Sequence, residues 1–570
     1  MTTTLVLPLL AGERWWGGAV AEGRHMPYPD GYTFDLRDVL ANQGMPLLLS
    51  DRGRWVHSEH PFTFTIADGL LTARAHDPDA VIEHGEGHGE RHDQEHGEGP
   101  GGGSGEGRGD LRAAYRHAMA RHYPPSGTMP DPLLFGAPQY NLWIETVFEP
   151  TQAKVLAYAE RLVEEGFPPG VLMIDDRWSN DYGDWSFHPG RFPDPAGMVA
   201  RLHALGFKVM LWLVPYVTPD SPTARQLNDR GLLVRDTEAG SDADSGTDSG
   251  SGTGTGTGTD SDSGAGTGTE TGPGAGGRAK VAWWWNGWSA GLDLLDPRAR
   301  AWLTGRLEAL RDDIGIDGFK FDGGDAPWWR ALGCADPEAY TRAWNRFGTD
   351  WPLNEFRDAW RAAGLPLAQR QQDKYHLWEG RFGLAGLIPI ALAQAVTGHA
   401  FTCPDMIGGG EFRFVPGEGG AGFDEELFVR YAQIAALFPM MQFSMAPWRV
   451  LSPDALAIVR DAARLHTEFA PEILALAEHA AATGEPVQRP LEWAFPHRGY
   501  ATVTDQFMLG DTLMVAPVVT KGSAGREVLV PPGTWRADDG RSYTGPATVW
   551  VDAPLNRLPY FRSVPASVRP

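Results

Sequence analysis

Cysteine is nearly missing from this chain: among 570 residues only Cys334 and Cys403 occur, far apart and without a CxxC or Cys/His spacing. That argues against a disulfide-stapled scaffold and against structural zinc, and it fits a reducing compartment. Basic residues are in deficit, with 49 Lys and Arg against 73 Asp and Glu and a formal charge of −24. A phosphate backbone needs a basic stripe, and none is visible, which argues against a nucleic-acid partner. No apolar run approaches the ~20 residues that cross a bilayer, and the opening MTTTLVLPLLAGERWW places no basic segment ahead of its short apolar stretch. The expectation is a cytoplasmic chain without membrane attachment. Nor does a GxGxxG turn open a helix after an early strand; GGG at Gly408 to Gly410 follows a strand but continues into no such register, which weighs against a doubly wound nucleotide-binding sheet.

What the chain does have is length, aromatic rings and Gly-rich tracts. Its 570 residues are enough for two or three domains, one of them barrel-sized. The 22 Trp are unusually many; most such rings serve as core, but sugar-binding sites also use flat apolar rings against the C–H face of a pyranose. Two tracts cannot bury enough surface to pack. One is His84 to Asp110, a Gly/His/Glu mixture that reads as a solvated linker rather than a metal site, and the other is Glu238 to Gly277, rich in Gly, Ser, Thr and Asp. Residues 1–83 show short alternating runs and read as a β-sandwich. Residues 111–482 alternate short apolar runs with helix-length segments, the pattern of βα units: GVLMIDD a strand, Ala196 to Leu205 a helix, FKVMLWLVP a strand, Pro297 to Asp312 a helix, IDGFKF a strand, and further cycles through LAQRQQ, AFTCPDM and MMQFSMA. Residues 483–570 return to short strands. The expected fold is α/β, a (β/α)₈ TIM barrel flanked by N-terminal and C-terminal β-sandwich domains, with the tract at 238–277 inserted in a βα loop.

In such a barrel, reactive groups stand at the C-terminal ends of the strands. The acids found there are Asp175 and Asp176 after GVLMI, Asp322 and Asp325 around DGFKFDGGD, and Asp405 with Glu411 in AFTCPDMIGGGE. Asp after a strand is often the cap of the next helix, but a cluster on successive strands, interleaved with Trp178, Trp185, Trp212, Trp285 and Trp378, is harder to explain as caps. Glycoside hydrolysis needs two carboxyl groups, one attacking or activating water and one delivering a proton. Lys320 and Asp322 alternate on one strand and face the same side, so the ammonium is expected to keep the carboxylate ionised.

The segments GVLMIDDRWSNDYGDWSFHPGRFPDP, LGFKVMLWLVPYVTPDS, DGFKFDGGD, FTCPDMIGGG and DQFMLGDTLMVAPVV, in this order, resemble glycoside hydrolase family 31. APQYNLWIE and CPDMIGGGE resemble the branch that includes the myogenesis-regulating glycosidase and bacterial relatives. The resemblance implies a retaining, exo-acting α-glycosidase of α-galactosidase or α-glucosidase type, without metal or organic cofactor. Its partner would be a small carbohydrate, and a homo-oligomer is compatible with it. Asp322 within Lys320-Phe321-Asp322 maps to the nucleophile; Asp175, Asp176, Trp212, Lys320, Trp378, Arg381 and Asp405 map to substrate-binding positions. One position departs from the family. Where relatives carry the proton-donating Asp of W-G-x-D-x-G-L, this chain reads Trp378-Glu379-Gly380-Arg381-Phe382-Gly383-Leu384 and puts Arg381 in the slot. Arginine stays protonated and cannot serve as that acid. Glu379 is the first replacement, with Asp373 and Glu411 as neighbouring ones; the alternative is a sugar-binding member of the family with little turnover.

Overall fold

The computed structural model describes residues 3–40, 42–87, 109–235, 278–414 and 423–565. Most of both low-complexity tracts therefore lies outside the described residues.

The N-terminal region is a pair of sheets. Thr4–Pro8, Leu70–Ala75, Phe62–Ala67 and Tyr32–Asp35 form one antiparallel sheet; Trp15–Ala19, Gln43–Ser50, Arg54–Ser58 and Ile82–Glu86 belong to the other. Alternation in FTFTIA buries Phe62, Phe64 and Ile66 between the sheets, where they share a core with Leu47, Leu49 and Trp55. Two boundaries differ from the reading of the sequence. The last strand runs to Glu86, past the expected start of the linker, because His84 and Glu86 continue the pairing with Val56 and Arg54. The helix Leu111–His122, capped by Asp110, buries Leu111, Ala114, Tyr115 and Ala118 in this N-terminal core rather than against the barrel.

The barrel follows. Its strands are β1 (Gln139–Asn141), β2 (Val171–Ile174), β3 (Lys208–Leu213), β4 (Gly318–Phe321), β5 (Asn354–Phe356), β6 (Gln369–Arg370), β7, split into Thr402–Cys403 and Met406–Ile407, and β8 (Gln442–Phe443). Every neighbouring pair is parallel, β8 pairs back to β1, and the two pieces of β7 end the hydrogen-bonded order at its two extremes. Because those pieces are one stretch of chain, interrupted only at Pro404 and Asp405, the sheet closes on itself. Helices such as Gln152–Glu164, Pro195–Ala204, Pro297–Ala309 and Pro337–Gly348 cover its outside. Their N-termini are capped by Thr151, Asp194, Asp296 and Asp336, so the caps are a set separate from the strand-end acids. Between β5 and β6 the chain forms no helix; Ala359–Trp360 instead pairs parallel to Gln43–Gly44 and ties the barrel to the N-terminal sheets. After β3, the strands Val281–Trp284 and Gly287–Gly291 form a hairpin beside the barrel mouth.

The C-terminal region is a six-stranded antiparallel sheet ordered Gln488–Arg489, Phe507–Leu509, Leu513–Val515, Tyr560–Val564, Gly525–Ala537, Ser542–Asp552. The register shift between Val530 and Gly533 lets the long strand bend, and Met508, Met514, Val528, Trp535 and Phe561 fill its core. Among the described residues no helix is long and apolar enough to cross a membrane.

Candidate active site

Strand parity explains why β4 carries the centre of the site. In Phe319-Lys320-Phe321-Asp322, Phe321 faces outward and packs on Trp344 and Phe356 at ring distances of 5.1 and 4.9 Å, which turns Lys320 and Asp322 into the lumen. The chain must turn at once. Gly323 and Gly324 have φ of 59° and 80°, and a Cβ on them would meet the Tyr216 ring at 2.9 Å and the Trp344 ring at 2.4 Å, so only glycine fits there.

Both oxygens of Asp322 are fixed. Oδ2 accepts from Trp212 Nε1 at 3.0 Å; Oδ1 accepts from Arg357 Nε at 2.9 Å and from the Gly323 amide at 2.8 Å. Burial alone would raise this carboxyl, but Arg357, Lys320 and Arg370, with the Trp212 hydrogen bond, outweigh it and hold Asp322 far below the usual carboxylate range. The direct partner of Lys320 is not Asp322 but Asp175, at 2.7 Å, with both groups buried. Lys320 thus acts on Asp322 through space while compensating a second carboxylate.

Asp176 accepts from Tyr182 Oη at 2.9 Å and from the Arg177 amide at 2.6 Å; burial nonetheless pushes its carboxyl up to about 7. Arg370 gathers three acids: Glu355 at 3.1 Å, Asp373 at 2.7 Å and Asp405 at 2.5 Å. Asp405, with φ 77°, stands in the break of β7, is fully buried, and also accepts from the Lys374 amide at 2.7 Å. Asp373 differs from the other two in that its side chain is 41% exposed. Against the pull of burial, Arg370 and Arg357 keep it below the ordinary carboxylate range.

One cavity of about 740 Å³ brings together Asp175, Asp176, Lys320, Asp322, Arg357, Arg370 and Asp373. Of the residues the sequence singles out, Asp175, Asp176, Trp212, Lys320, Asp322, Asp373 and Glu411 line it; Trp378, Glu379, Arg381 and Asp405 do not. Asp405 is fully buried against Arg370; for Trp378, Glu379 and Arg381 the reason is a turn that closes on itself. Tyr375 N donates to Phe382 O at 2.6 Å, Leu384 N to Leu377 O at 2.9 Å and Ala385 N to Trp378 O at 2.9 Å. This leaves Glu379 exposed, ties Trp378 Nε1 to Asp424 at 2.8 Å, and sends Arg381 toward Glu22 of the N-terminal region at 3.6 Å. Asp325, also a strand-end acid, is buried behind the cavity at the start of Ala326–Ala331.

Sequence reasoning missed Arg357 and Arg370. The signal was weak, since β5 and β6 are only three and two residues long, too short to display an alternation from which a lumen-facing position can be read.

The outer part of the cavity is aromatic. Trp143, Phe148, Trp285 and Phe412 contact one another at ring distances of 5.5 to 6.4 Å. Trp284 stacks nearer the floor, 6.1 Å from Trp212.

Comparison with known proteins assigns the architecture. Residues 128–376 match the glycosyl hydrolases family 31 TIM-barrel domain, and residues 484–563 match the glycosyl hydrolase family 31 C-terminal domain. The myogenesis-regulating glycosidase of Mus musculus is 30% identical over 461 residues, covering 78% of this chain and 59% of that protein. The 1,3-alpha-isomaltosidase of Kribbella flavida is 25% identical over 478 residues, covering 74% of this chain and 60% of the relative. The chain thus spans about three fifths of the length of each. A Flavobacterium johnsoniae family 31 dextranase complexed with glucose superposes with a TM-score of 0.77 at 18% identity, over 99% of this chain and 66% of the other, a likeness of fold. With both domains matched in order, around a closed parallel barrel whose strand ends carry the acids that the resemblance assigns, the chain belongs to glycoside hydrolase family 31.

Proposed function

We propose that the chain is a retaining, exo-acting α-glycosidase with Asp322 as nucleophile. The observation that supports this most is the state of that carboxylate: largely buried, ionised, and fixed at both oxygens in the same cavity as a half-exposed second carboxyl, Asp373. An Asp322 oxygen attacks the anomeric carbon while that carbon's bond to the leaving oxygen breaks. The bonding pair departs on the oxygen, which is protonated by an acid; water then opens the glycosyl–Asp322 ester, passing its proton to the same group.

Asp373 is our assignment for that acid and base, in place of Glu379. The other cavity carboxylates are engaged: Asp175 by Lys320, Asp176 by Tyr182 and the Arg177 amide, Glu411 by Arg413 at 2.7 Å. Asp373 is bound by Arg370 at 2.7 Å yet keeps an open face, its side chain 41% exposed. Because Arg370 and Arg357 favour its ionised form, little of it carries the proton needed in the first step, while the carboxylate needed in the second is already present, though weakly basic. Reactivity should therefore depend steeply on the leaving group.

An α-galactoside or α-glucoside is the substrate the resemblance favours. Gln442, where many glucosidases of the family carry a basic residue, lies buried and donates to Glu355 and to Gln139; its neutrality weighs against ordinary starch-type specificity. The test is a panel of aryl α-glycosides assayed with wild type, Asp322→Ala, Asp373→Ala and Glu379→Gln. Cleavage of one configuration, abolished by Asp322→Ala, supports the reading.

A second reading, a sugar-binding member with little turnover, is favoured by Arg381 in the donor slot. It wins if neither aryl nor natural α-glycosides are cleaved while free sugars still raise the Tm.

A further inference from the structure

Away from the barrel cavity, one buried carboxylate oxygen is left bare. The short helix Leu491–Ala494 lies where the N-terminal and C-terminal regions meet. Leu491 belongs to the core of the C-terminal sheet, whereas Trp493 belongs to the N-terminal core and packs on Tyr115 at 4.9 Å. Glu492, between them, is only 2% exposed. Its Oε1 accepts from the His497 amide at 2.7 Å, but Oε2 has no hydrogen-bond partner among the described residues. A buried oxygen in that state is costly unless a cation or a proton meets it.

A second buried acid faces it. Asp51 follows the strand Gln43–Ser50 and is pinned to Arg14, whose carbonyl accepts from the Asp51 amide at 3.1 Å and whose amide donates to Asp51 Oδ1 at 3.0 Å. The third member is His497, exposed in the turn after the helix with φ of 60°. One ligand atom from each of Asp51, Glu492 and His497 lies within 4.8 Å of the other two, and this is the one such set among the described residues. The nearest guanidinium does not complete the cluster. Arg52 stands 3.4 Å from His497 Nδ1 and 3.8 Å from Asp51 Oδ1, beyond the roughly 2.7–3.2 Å of a well-made hydrogen bond, and its Nη2 is directed to the Ala11 carbonyl at 3.2 Å. The neighbouring acid Glu13 is engaged by Ser50 and Arg54 and stays apart.

We infer that Asp51, Glu492 and His497 bind a divalent transition-metal ion of the Zn²⁺ class, which ties the end of an N-terminal strand to the helix that opens the C-terminal region. Two carboxylate oxygens and one imidazole nitrogen match the donor preference of such an ion, with water in the fourth position; Ca²⁺ requires more oxygens than the cluster offers. Zn²⁺ holds its ligands at about 2.0–2.2 Å, so the donors must draw closer together. The exposed His497 side chain, on a turn, is the one free to do so, and its side of the cluster is the entry path from solvent. The scarcity of cysteine argues against thiolate-bound zinc; this donor set needs no cysteine.

The test titrates Zn²⁺ into the metal-stripped full chain against a competing chelator dye, beside Glu492→Gln and His497→Gly. Glycine suits the φ of 60° and carries no donor; Gln keeps the acceptor for the His497 amide, so Glu492→Gln carries the test alone if the other variant misfolds. His84, His88, His92 and His96 add a background of imidazoles, and the quantity read is therefore the difference between wild type and variants. Both variants are expected to bind one equivalent of Zn²⁺ fewer than wild type. Zn²⁺ should also raise the Tm of wild type and not that of either variant, because an ion bound only by the folded chain stabilises it. Equal stoichiometry in all three chains overturns the proposal, as does a Tm rise that the variants keep. A rise produced equally by Ca²⁺ or Mg²⁺ overturns the assignment of the ion.

Discussion

The ends of β4 and β6 face one cavity and hold their acids in different ways. At β4 a four-residue strand with outward Phe side chains and two following glycines fixes Asp322 by backbone geometry, and three donors then lock its oxygens. At β6 a two-residue strand supplies Arg370, and it is this guanidinium that draws Glu355, Asp373 and Asp405 together from three separate segments. In the first arrangement the direction in which Asp322 points is local, set by the strand and its two glycines, although Trp212 and Arg357 reach it from neighbouring strands. The second is assembled across the barrel, so it depends on loops whose course no spacing rule gives.

The comparison can be broken at either end. Asp322→Ala carries the largest expected effect, a loss on the order of 10⁴-fold or more in kcat for an activated aryl α-glycoside, because it removes the covalent route. Asp373→Ala should lower kcat/KM for a disaccharide or methyl glycoside by about 10² to 10⁴ and for a dinitrophenyl glycoside much less, with azide restoring turnover of the latter; equal losses on both substrates would remove Asp373 from the donor role. Arg357→Met takes away a cation that touches Asp322 and should cost about 10² in kcat/KM. Its sign in pH follows from the direction of the shift: Arg357 holds the carboxyl low, so without it the pKa rises and the acid limb of the kcat/KM profile moves to higher pH. Lys320→Met leaves Asp175 buried without its cation and should destabilise the fold by about 3–5 kcal/mol in denaturant unfolding. The smallest effect belongs to Glu379→Gln, expected within about twofold of wild type on all substrates, since an exposed group away from the site contributes little; a large loss would return the donor role to the turn after β6.

Much of the barrel was legible because long strands and proline-started helices display their periods: GVLMIDD, FKVMLWLVP and IDGFKF coincide with β2, β3 and β4. Asp175, Asp176, Trp212, Lys320 and Asp322 follow from those strands and meet at one cavity. The WEGRFGL segment shows where alignment of letters stops being geometry. The turn from Tyr375 to Ala385 closes on its own backbone, so Glu379 faces solvent and Arg381 reaches Glu22 on the N-terminal region. That outcome turns on backbone hydrogen bonds and on a contact over 350 residues away in sequence, neither of which leaves a local pattern. The same holds for the helix Leu111–His122, whose amphipathic face is visible in the sequence but whose partner, the N-terminal core, is not.

The most direct measurement is to trap the intermediate. Incubation with a 5-fluoro α-glycosyl fluoride of the accepted sugar slows breakdown of the glycosyl-enzyme, and digestion with mass spectrometry then locates the label. One fluoroglycosyl group on the peptide that contains Lys320-Phe321-Asp322, absent from Asp322→Ala, is the predicted result; a label on another carboxylate, or rapid turnover of the fluoride by Asp322→Ala, would contradict it.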